Sequence, residues 1–251
     1  MRVLMISTDR RIFEPGSAVR SRMLGYTSAV DELFIITLGA DHDLRVEGKL
    51  KYLGLTRRRA LFWWPEKKFD LVTGQDPFET GFIAWRLAHR LGAPLELQIH
   101  TDIGSSYFWQ ESVLNKVRFL MARFLLLKAD KIRVVSERIR YYLVDKLKIT
   151  NSKIIVKPIT VDIEKIKNAP ITVDLHKKYP QFDKIILMAS RLTREKNIGL
   201  AIKAMGEVVK QRPPTGLIIV GSGPEREKLK LKIANCKLEN SVILESWVDS
   251  K

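Results

Sequence analysis

Short apolar runs alternate with helix-length segments along most of this chain, and that alternation restricts the fold more than any other feature. The predicted strands are Val3–Ile6, Leu33–Leu38, Leu71–Thr73, Leu95–Ile99, Ile132–Val135 and Ile154–Val156. Several are apolar at consecutive positions, the pattern of strands covered on both faces. Between them lie predicted helices at Ser17–Val30, Glu79–Leu91, Glu111–Lys128 and Glu137–Leu147. Such alternation argues for an α/β chain with a parallel sheet and helices on both faces.

The pattern breaks after Ile163. Residues 164–183 hold Lys165, Lys167, Asn168, Pro170 and Pro180 and no strong strand, as expected of a linker or a helical crossover. Alternation then restarts with strand Ile185–Ala189, helix Ile198–Val209, strand Leu217–Val220, helix Pro224–Ala234 and strand Val242–Leu244. The organisation read from this is a first domain over 1–163, a linker over 164–183 and a partial second domain over 184–251. A three-strand βαβαβ piece is about half of a doubly wound sheet, and its outer strands are expected as uncovered edges.

Composition narrows the class. The 251 residues are 45% hydrophobic and 29% charged, which excludes a disordered chain. Forty-four Lys and Arg against 28 Asp and Glu give a net charge of +16, which favours a polyanionic neighbour such as nucleic acid, an anionic membrane or a phosphorylated small molecule. The single cysteine, Cys236, excludes a disulfide framework and a zinc cluster and fits a reducing, cytosolic compartment. The apolar run after Met1 is too short for a signal peptide. Lys116, Arg118 and Arg123 interrupt Val113–Lys128, so no span is expected there, although the chain can still lie on a membrane.

Four loops carry candidate chemistry. After the first strand, Gly16 precedes Ser17, a helix-capping residue, which places backbone N–H groups and a helix dipole where an anion can bind. The plainer reading is an ordinary strand–helix turn. Ser190-Arg191-Leu192-Thr193-Arg194-Glu195-Lys196 sits at the carboxyl end of a strand, where open α/β sheets bind ligands. Arg191 offers a planar fork and Lys196 a point charge, a pair suited to a diphosphate, or simply a solvated basic loop. Gly221-Ser222-Gly223-Pro224 is a second strand–glycine–helix junction whose glycines permit close approach to a ligand, with Pro224 expected at the first helical position. His100 ends a predicted strand two residues before Asp102, a carboxylate able to orient it; a polar strand cap is the alternative.

Together these loops resemble the GT-B glycosyltransferases of family GT4. Gln75-Asp76-Pro77-Phe78-Glu79-Thr80-Gly81, Val135-Ser136-Glu137 and Pro158-Ile159-Thr160-Val161-Asp162 fit the same order, so the likeness runs over nearly the whole chain. The resemblance implies a GT-B-like fold of two Rossmann-like parallel-sheet domains facing a cleft, the second incomplete here. It implies an acceptor on the first domain and a nucleotide-diphosphate-sugar donor on the second, with no cofactor and no metal. Ser190, Arg191, Lys196, Gly221 and Gly223 would hold the donor, Gly16 would approach its diphosphate from the opposite domain, and Val248 would lie by the base. His100, with Asp102, would sit at the transferred sugar. The implied activity is retaining hexosyl transfer to a lipid-linked or polysaccharide acceptor of the cell envelope, in the cytoplasm or peripherally at the inner face of the plasma membrane. The family pattern continues into a Glu-x7-Glu element that has no counterpart here, so a C-terminally truncated protein with impaired activity is expected.

The basic excess is uneven. From Tyr107 to Lys148 ten cations face four anions, among Tyr107, Phe108, Trp109, Phe119 and Phe124. The predicted helix there is read as buried core with a polar stripe through Ser112, Lys116 and Arg123. Arg57–Lys68 is read as an exposed loop whose Arg57, Arg58, Arg59, Trp63 and Trp64 suit the headgroups of an anionic membrane. No helix-turn-helix, zinc module or RNP signature is present, so no nucleic-acid partner is expected. Two alternatives to the transferase remain: a non-catalytic basic module for membrane or nucleic acid, and a GT-B sugar-nucleotide epimerase, which should show a carboxylate-rich site.

Overall fold

The computed structural model describes every residue except 160, 162, 213 and 249–251. Thr160 and Asp162 of the closing motif therefore lie outside the described residues, as do Asp249, Ser250 and Lys251. Contacts divide the chain into two units, Met1–Thr160 and Val161–Lys251.

The first unit contains β1 (Arg2–Ser7), α1 (Ala18–Tyr26), β2 (Glu32–Leu38), β3 (His42–Glu47), β4 (Leu50–Leu55), α2 (Arg57–Phe62), β5 (Leu71–Gly74), α3 (Glu79–Leu91), β6 (Leu95–Ile99), α4 (Ser106–Glu111), α5 (Val113–Lys128), β7 (Lys131–Val134), α6 (Glu137–Asp145) and β8 (Ile154–Val156). They build an eight-stranded sheet in the order β3-β4-β2-β1-β5-β6-β7-β8. From β4 to β8 neighbouring strands are parallel, with Leu4 opposite both Phe34 and Val72. Successive side chains of a strand point to opposite faces. Leu4 and Ile6 accordingly enter a core with Leu87 of α3, Leu125 of α5 and Leu143 of α6. Val3 and Met5 enter the opposite core with Val19 and Met23 of α1. The consecutive apolar run of β1 thus records burial on both sides.

Three details depart from the sequence expectation. The sheet is not wholly parallel, because β3 runs antiparallel to β4. Gly48, at φ 60°, opens the tight turn between them, the conformation such hairpins require. Strand β3 is exposed except at Glu47, and its apolar residues Leu44 and Val46 lie at the surface, so no buried run marks it. The Glu111–Lys128 segment is broken at Ser112, whose side chain caps α5 by accepting from the Asn115 N–H at 3.2 Å. Arg57–Phe62 is a helix, not a loop, capped by Thr56 and anchored by buried Ala60.

The second face is covered unevenly. The helix on this face, α1, packs over β1, β2 and β4. Farther along, Thr73, Glu96, Gln98, Arg133 and Ile155 line an open groove of about 470 Å³. Burial there pushes the Glu96 carboxyl above its ordinary range, with Arg133 and Lys157 opposing the shift.

The second unit holds α7 (Ile163–Lys167), α8 (Leu175–Lys178), β9 (Lys184–Ala189), α9 (Ile198–Gln211), β10 (Thr215–Val220), α10 (Arg226–Asn235) and β11 (Val242–Glu245). Its three parallel strands run β11-β10-β9. Leu217 and Ile219 pack on Ile202 of α9 and Ile233 of α10. Ile218, on the other face, packs on Tyr179 and Phe182. The stretch read as linker or crossover therefore covers one side of the sheet. A Cβ on Gly216 would meet the Phe182 ring at 2.2 Å, so ring and strand are matched in shape. Edge strand β9 leaves Ile186 and Leu187 exposed. Phe182→Ala removes one wall of this small core. Hydrogen exchange of the β10 amides is expected to speed up about 100-fold, about 3 kcal/mol of lost stability; an unchanged rate would mean that the stretch is a linker after all.

Candidate functional site

Parallel strands end together, so every loop after a β-strand of either unit's parallel set gathers at one edge of its sheet. In the first unit β1 lies between β2 and β5, the point at which successive crossovers turn in opposite directions. Ligands of open α/β sheets bind at such a point. Here the Ser7 hydroxyl donates to Gln75 Oε1 at 2.7 Å, joining the ends of β1 and β5. Gly16, at φ 72°, turns the chain into Ser17, whose Oγ accepts from the Arg20 N–H and caps α1. Among the described residues, its chain neighbours aside, none comes within 4 Å of a Cβ built on Gly16, so its backbone angle asks for glycine.

His100 follows β6, and its Nε2 lies 3.3 Å from Gln98 Oε1. Arg133 also approaches that oxygen, at 3.5 Å, and a guanidinium can only donate. The oxygen is thus the shared acceptor, His100 donates from Nε2, and its Nδ1 is an acceptor. His100 is exposed as a whole residue. Desolvation of the ring first, then Arg133 and Arg22, nonetheless hold the imidazole below its ordinary value, with Asp76 opposing. The neutral form is favoured at neutral pH.

Asp102 does not orient this ring. Its carboxylate accepts from the Gly104 N–H at 3.1 Å and pairs with Arg138 at 2.9 Å. Gln98, two residues back on the strand, holds the position assigned to Asp102. Asp76, at the end of β5, is a further carboxylate of this edge that residue-by-residue reading did not single out. It is half-buried and accepts from the Phe78 N–H at 2.7 Å. Burial raises its pKa.

In the second unit the two loops are bound to each other through backbone. Ser190 N–H donates to Val220 O at 3.0 Å, Leu192 N–H to Ser222 O at 2.9 Å, and Glu225 N–H to Leu192 O at 3.0 Å. A Cβ on Gly221 would lie 1.9 Å from Ser190 O, and one on Gly223 2.4 Å from Leu192 O. The glycines are needed for the approach of the neighbouring loop, where the sequence pointed to a ligand. Pro224 lies in a turn, and α10 starts two residues later than expected, at Arg226. Arg226 fastens the junction by donating to Leu244 O and Glu245 O, each at 3.1 Å.

This scaffold presents two of the predicted cations outward. Arg191 is exposed and pairs with Glu195 at 3.2 Å, while Thr193 also donates to Glu195, at 2.7 Å. The Thr193 hydrogen bond leads in lowering the Glu195 pKa, with the charges of Arg191 and Lys196 contributing. An exposed pair of this kind contributes little to stability and exchanges readily for an anionic ligand. Lys196 is exposed in the short 3-10 turn before α9, and Asn197 makes the following left-handed step at φ 46°. Val248 is exposed three residues beyond β11. Among the described residues no group of three or more His, Cys, Asp or Glu could hold a metal ion.

The basic-aromatic segment is differently arranged from its sequence reading. Trp63 is half-buried against Phe34 at 5.7 Å, and so is not a surface anchor. Trp64 lies under Arg90 at 4.5 Å, and Arg57 pairs with Glu79 and Arg59 with Asp41. Arg58 and Phe62 remain exposed beside an open cleft of about 400 Å³ that also involves Leu55, Arg59 and Trp63.

A parallel sheet with its loops at the carboxyl edge, followed by a second parallel βαβαβ unit with cation-bearing loops, is the architecture of GT-B glycosyltransferases. The family model described as Glycosyltransferase Family 4 matches residues 28–165, and that described as Glycosyl transferases group 1 matches residues 175–251. The chain belongs to glycosyltransferase family 4. It is similar to the alpha-monoglucosyldiacylglycerol synthase of Streptococcus pneumoniae (strain ATCC BAA-255 / R6), 25% identical over 192 residues covering 72% of this chain and 43% of that protein. A shorter stretch of 64 residues is 42% identical to the poly(glycerol-phosphate) alpha-glucosyltransferase of Bacillus subtilis (strain 168), covering 26% of this chain and 10% of that one. The chain thus spans less than half the length of these curated relatives. Among solved structures it shares its fold with Anabaena HepE in complex with UDP and glucose, at a TM-score of 0.67 and 14% identity over 99% of this chain and 70% of that one. An Escherichia coli structure described as trehalose-6-phosphate bound with UDP-2-fluoro glucose aligns at a TM-score of 0.73 and 12% identity, over 99% of this chain and 74% of that one.

Two measurements test this geometry. Gly221→Ala is expected to lower stability by about 3 kcal/mol through the clash with Ser190, and Gly16→Ala by only about 1 kcal/mol through its φ angle. Calorimetric unfolding that showed equal losses would refute the difference. The His100 titration, followed by NMR, is expected to have its midpoint below the ordinary value of about 6.5 and to move upward in Arg133→Gln. A wild-type midpoint above that value would contradict the assigned surroundings.

Proposed function

We propose that the chain is a retaining hexosyltransferase of this family, moving a sugar from a nucleotide-diphosphate donor to a lipid-linked or polysaccharide acceptor. The observation that carries the reading is the second unit's paired loops. Backbone bonds and two obligatory glycines fix the Arg191 loop, leaving Arg191 and Lys196 outward at the carboxyl edge of the sheet. Preorganised cations of this kind stabilise the charge that develops on a diphosphate leaving group. The reading assigns that charge to Arg191 and Lys196 rather than to a metal. Ser190, Gly221 and Gly223 supply backbone at the same place, and Val248 a backbone contact for the base. On the first unit, Gly16 offers the N-terminus of α1 to an anion. Neutral His100 offers Nδ1 to a substrate hydroxyl.

The named substrates of related proteins support the donor and acceptor classes. UDP and UDP-2-fluoro glucose are in the descriptions of the two solved neighbours. A diacylglycerol lipid and a glycerol-phosphate polymer figure in the names of the two curated relatives. The reading places the enzyme peripherally at the inner face of the plasma membrane, with the basic residues Arg57, Arg58 and Arg59 facing anionic lipid and Trp64 beside them.

Calorimetry with a panel of nucleoside diphosphates tests the donor site. At least one is expected to bind, and Arg191→Ala and Lys196→Ala are each expected to weaken it about 10- to 100-fold, the worth of hydrogen bonds to charged groups. No binding across the panel, or binding indifferent to both substitutions, would overturn the reading.

A further inference from the structure

Helix α5 is apolar on two sides. Phe119, Ala122, Leu125 and Leu126 are buried in the core of the sheet. Val113, Val117, Leu120, Phe124 and Leu127, together with Leu114, are exposed, Val113 to 76% and Leu120 to 65%. The spacing of the first five, alternately four and three residues, makes them one stripe along the helix. The sequence reading assigned this helix to the core with a polar stripe outward. The structure instead places an apolar stripe at the surface, a larger continuous patch than scattered surface leucines explain.

The charges beside the stripe are of one sign. Lys116, Arg118, Arg123 and Lys128 are exposed on the same helix, and Val113–Lys128 contains no Asp or Glu. The patch is also tied to the neighbouring helix, because the Trp85 ring of α3 meets Phe124 edge-on at 5.4 Å. Near the C-terminal end of α3, Arg90 covers Trp64.

We infer that the outward face of α5 lies on an anionic lipid bilayer, its apolar stripe in the headgroup–acyl boundary and its cations among the lipid phosphates. Helices that rest in an interface combine these two features. Charge decides against a second copy of this chain as the occupant. Lys116 and Arg123, seven residues apart, flank one side of the stripe, and pairing two such helices in antiparallel fashion sets these cations against each other with no acid to offset them. An anionic surface neutralises them. The inference rests on the membrane reading above and moves its main contact from the α2 region to α5.

Sedimentation with vesicles of phosphatidylcholine, with and without phosphatidylglycerol, tests both and separates them. The wild-type chain is expected to bind the phosphatidylglycerol vesicles, and Leu120→Glu/Phe124→Glu to lose at least about 10-fold in partitioning. Phe62→Ser is expected to keep most of the binding. No wild-type preference for anionic vesicles would overturn the membrane reading and the inference together. Wild-type binding retained by the α5 variant and lost in Phe62→Ser would overturn the inference and leave the membrane reading standing. Concentration-dependent dimers in sedimentation velocity, abolished by the α5 variant, would assign the stripe to a second copy and overturn the inference. A less intrusive probe covers the case of a misfolded double variant. Val117→Cys in a Cys236→Ser background, carrying an environment-sensitive dye, is expected to shift to the blue on anionic vesicles, and an unchanged spectrum counts against α5.

Discussion

The structure depends on one constraint: a parallel sheet cannot leave its apolar faces in water, so each strand must be followed by a crossover that covers it. In the first unit this makes β1 apolar at every inner position, with Leu4 and Ile6 buried under one helical layer and Val3 and Met5 under the other. The same crossovers bring every strand end to one edge. Ser7, Gln75, Asp76 and His100 are far apart in sequence and meet there because β1, β5 and β6 are neighbours. Function is thus located by the requirement for burial before any side chain is chosen for chemistry.

The second unit shows how a loop can be made rigid without side chains. The Ser190–Leu192 and Gly221–Gly223 segments exchange backbone hydrogen bonds at distances that leave no room for a Cβ. Arg226 then holds the carbonyls of Leu244 and Glu245, joining β11 to the same junction. Glu245 adds a tie of its own, accepting from Lys178 at 2.9 Å and from the Tyr179 hydroxyl. Arg191 and Lys196 stand on this platform, which makes their position reproducible at little entropic cost to a ligand.

Much of this was legible in sequence wherever burial writes a periodic pattern. β6 and α3 fall at their expected bounds, and α3 stops at Gly92 in the left-handed conformation, a common helix ending. The β3–β4 hairpin was not legible, because β3 is a mostly exposed edge strand whose apolar residues are only Leu44 and Val46. α2 was read as a loop because Arg57-Arg58-Arg59 hides a helix held by one buried alanine. α5 shows a different limit. Its periodicity gives two apolar stripes, and only the packing tells which one faces the core. At the site, sequence located His100 at a strand end but chose the wrong partner. Asp102 turns to Arg138, while Gln98 is recruited from the strand because His100 and Arg133 both need its oxygen. Likewise the glycines of the Gly221 loop were found, and their neighbour was not.

The central claim is that the paired loops of the second unit hold the diphosphate of a nucleotide-sugar. Hydrogen–deuterium exchange with and without saturating nucleoside diphosphate tests it most directly. The account predicts slowed exchange at residues 190–197 and 221–226, with β9 and β10 little changed. Absence of slowing at both loops, or protection confined to the first unit, would contradict it.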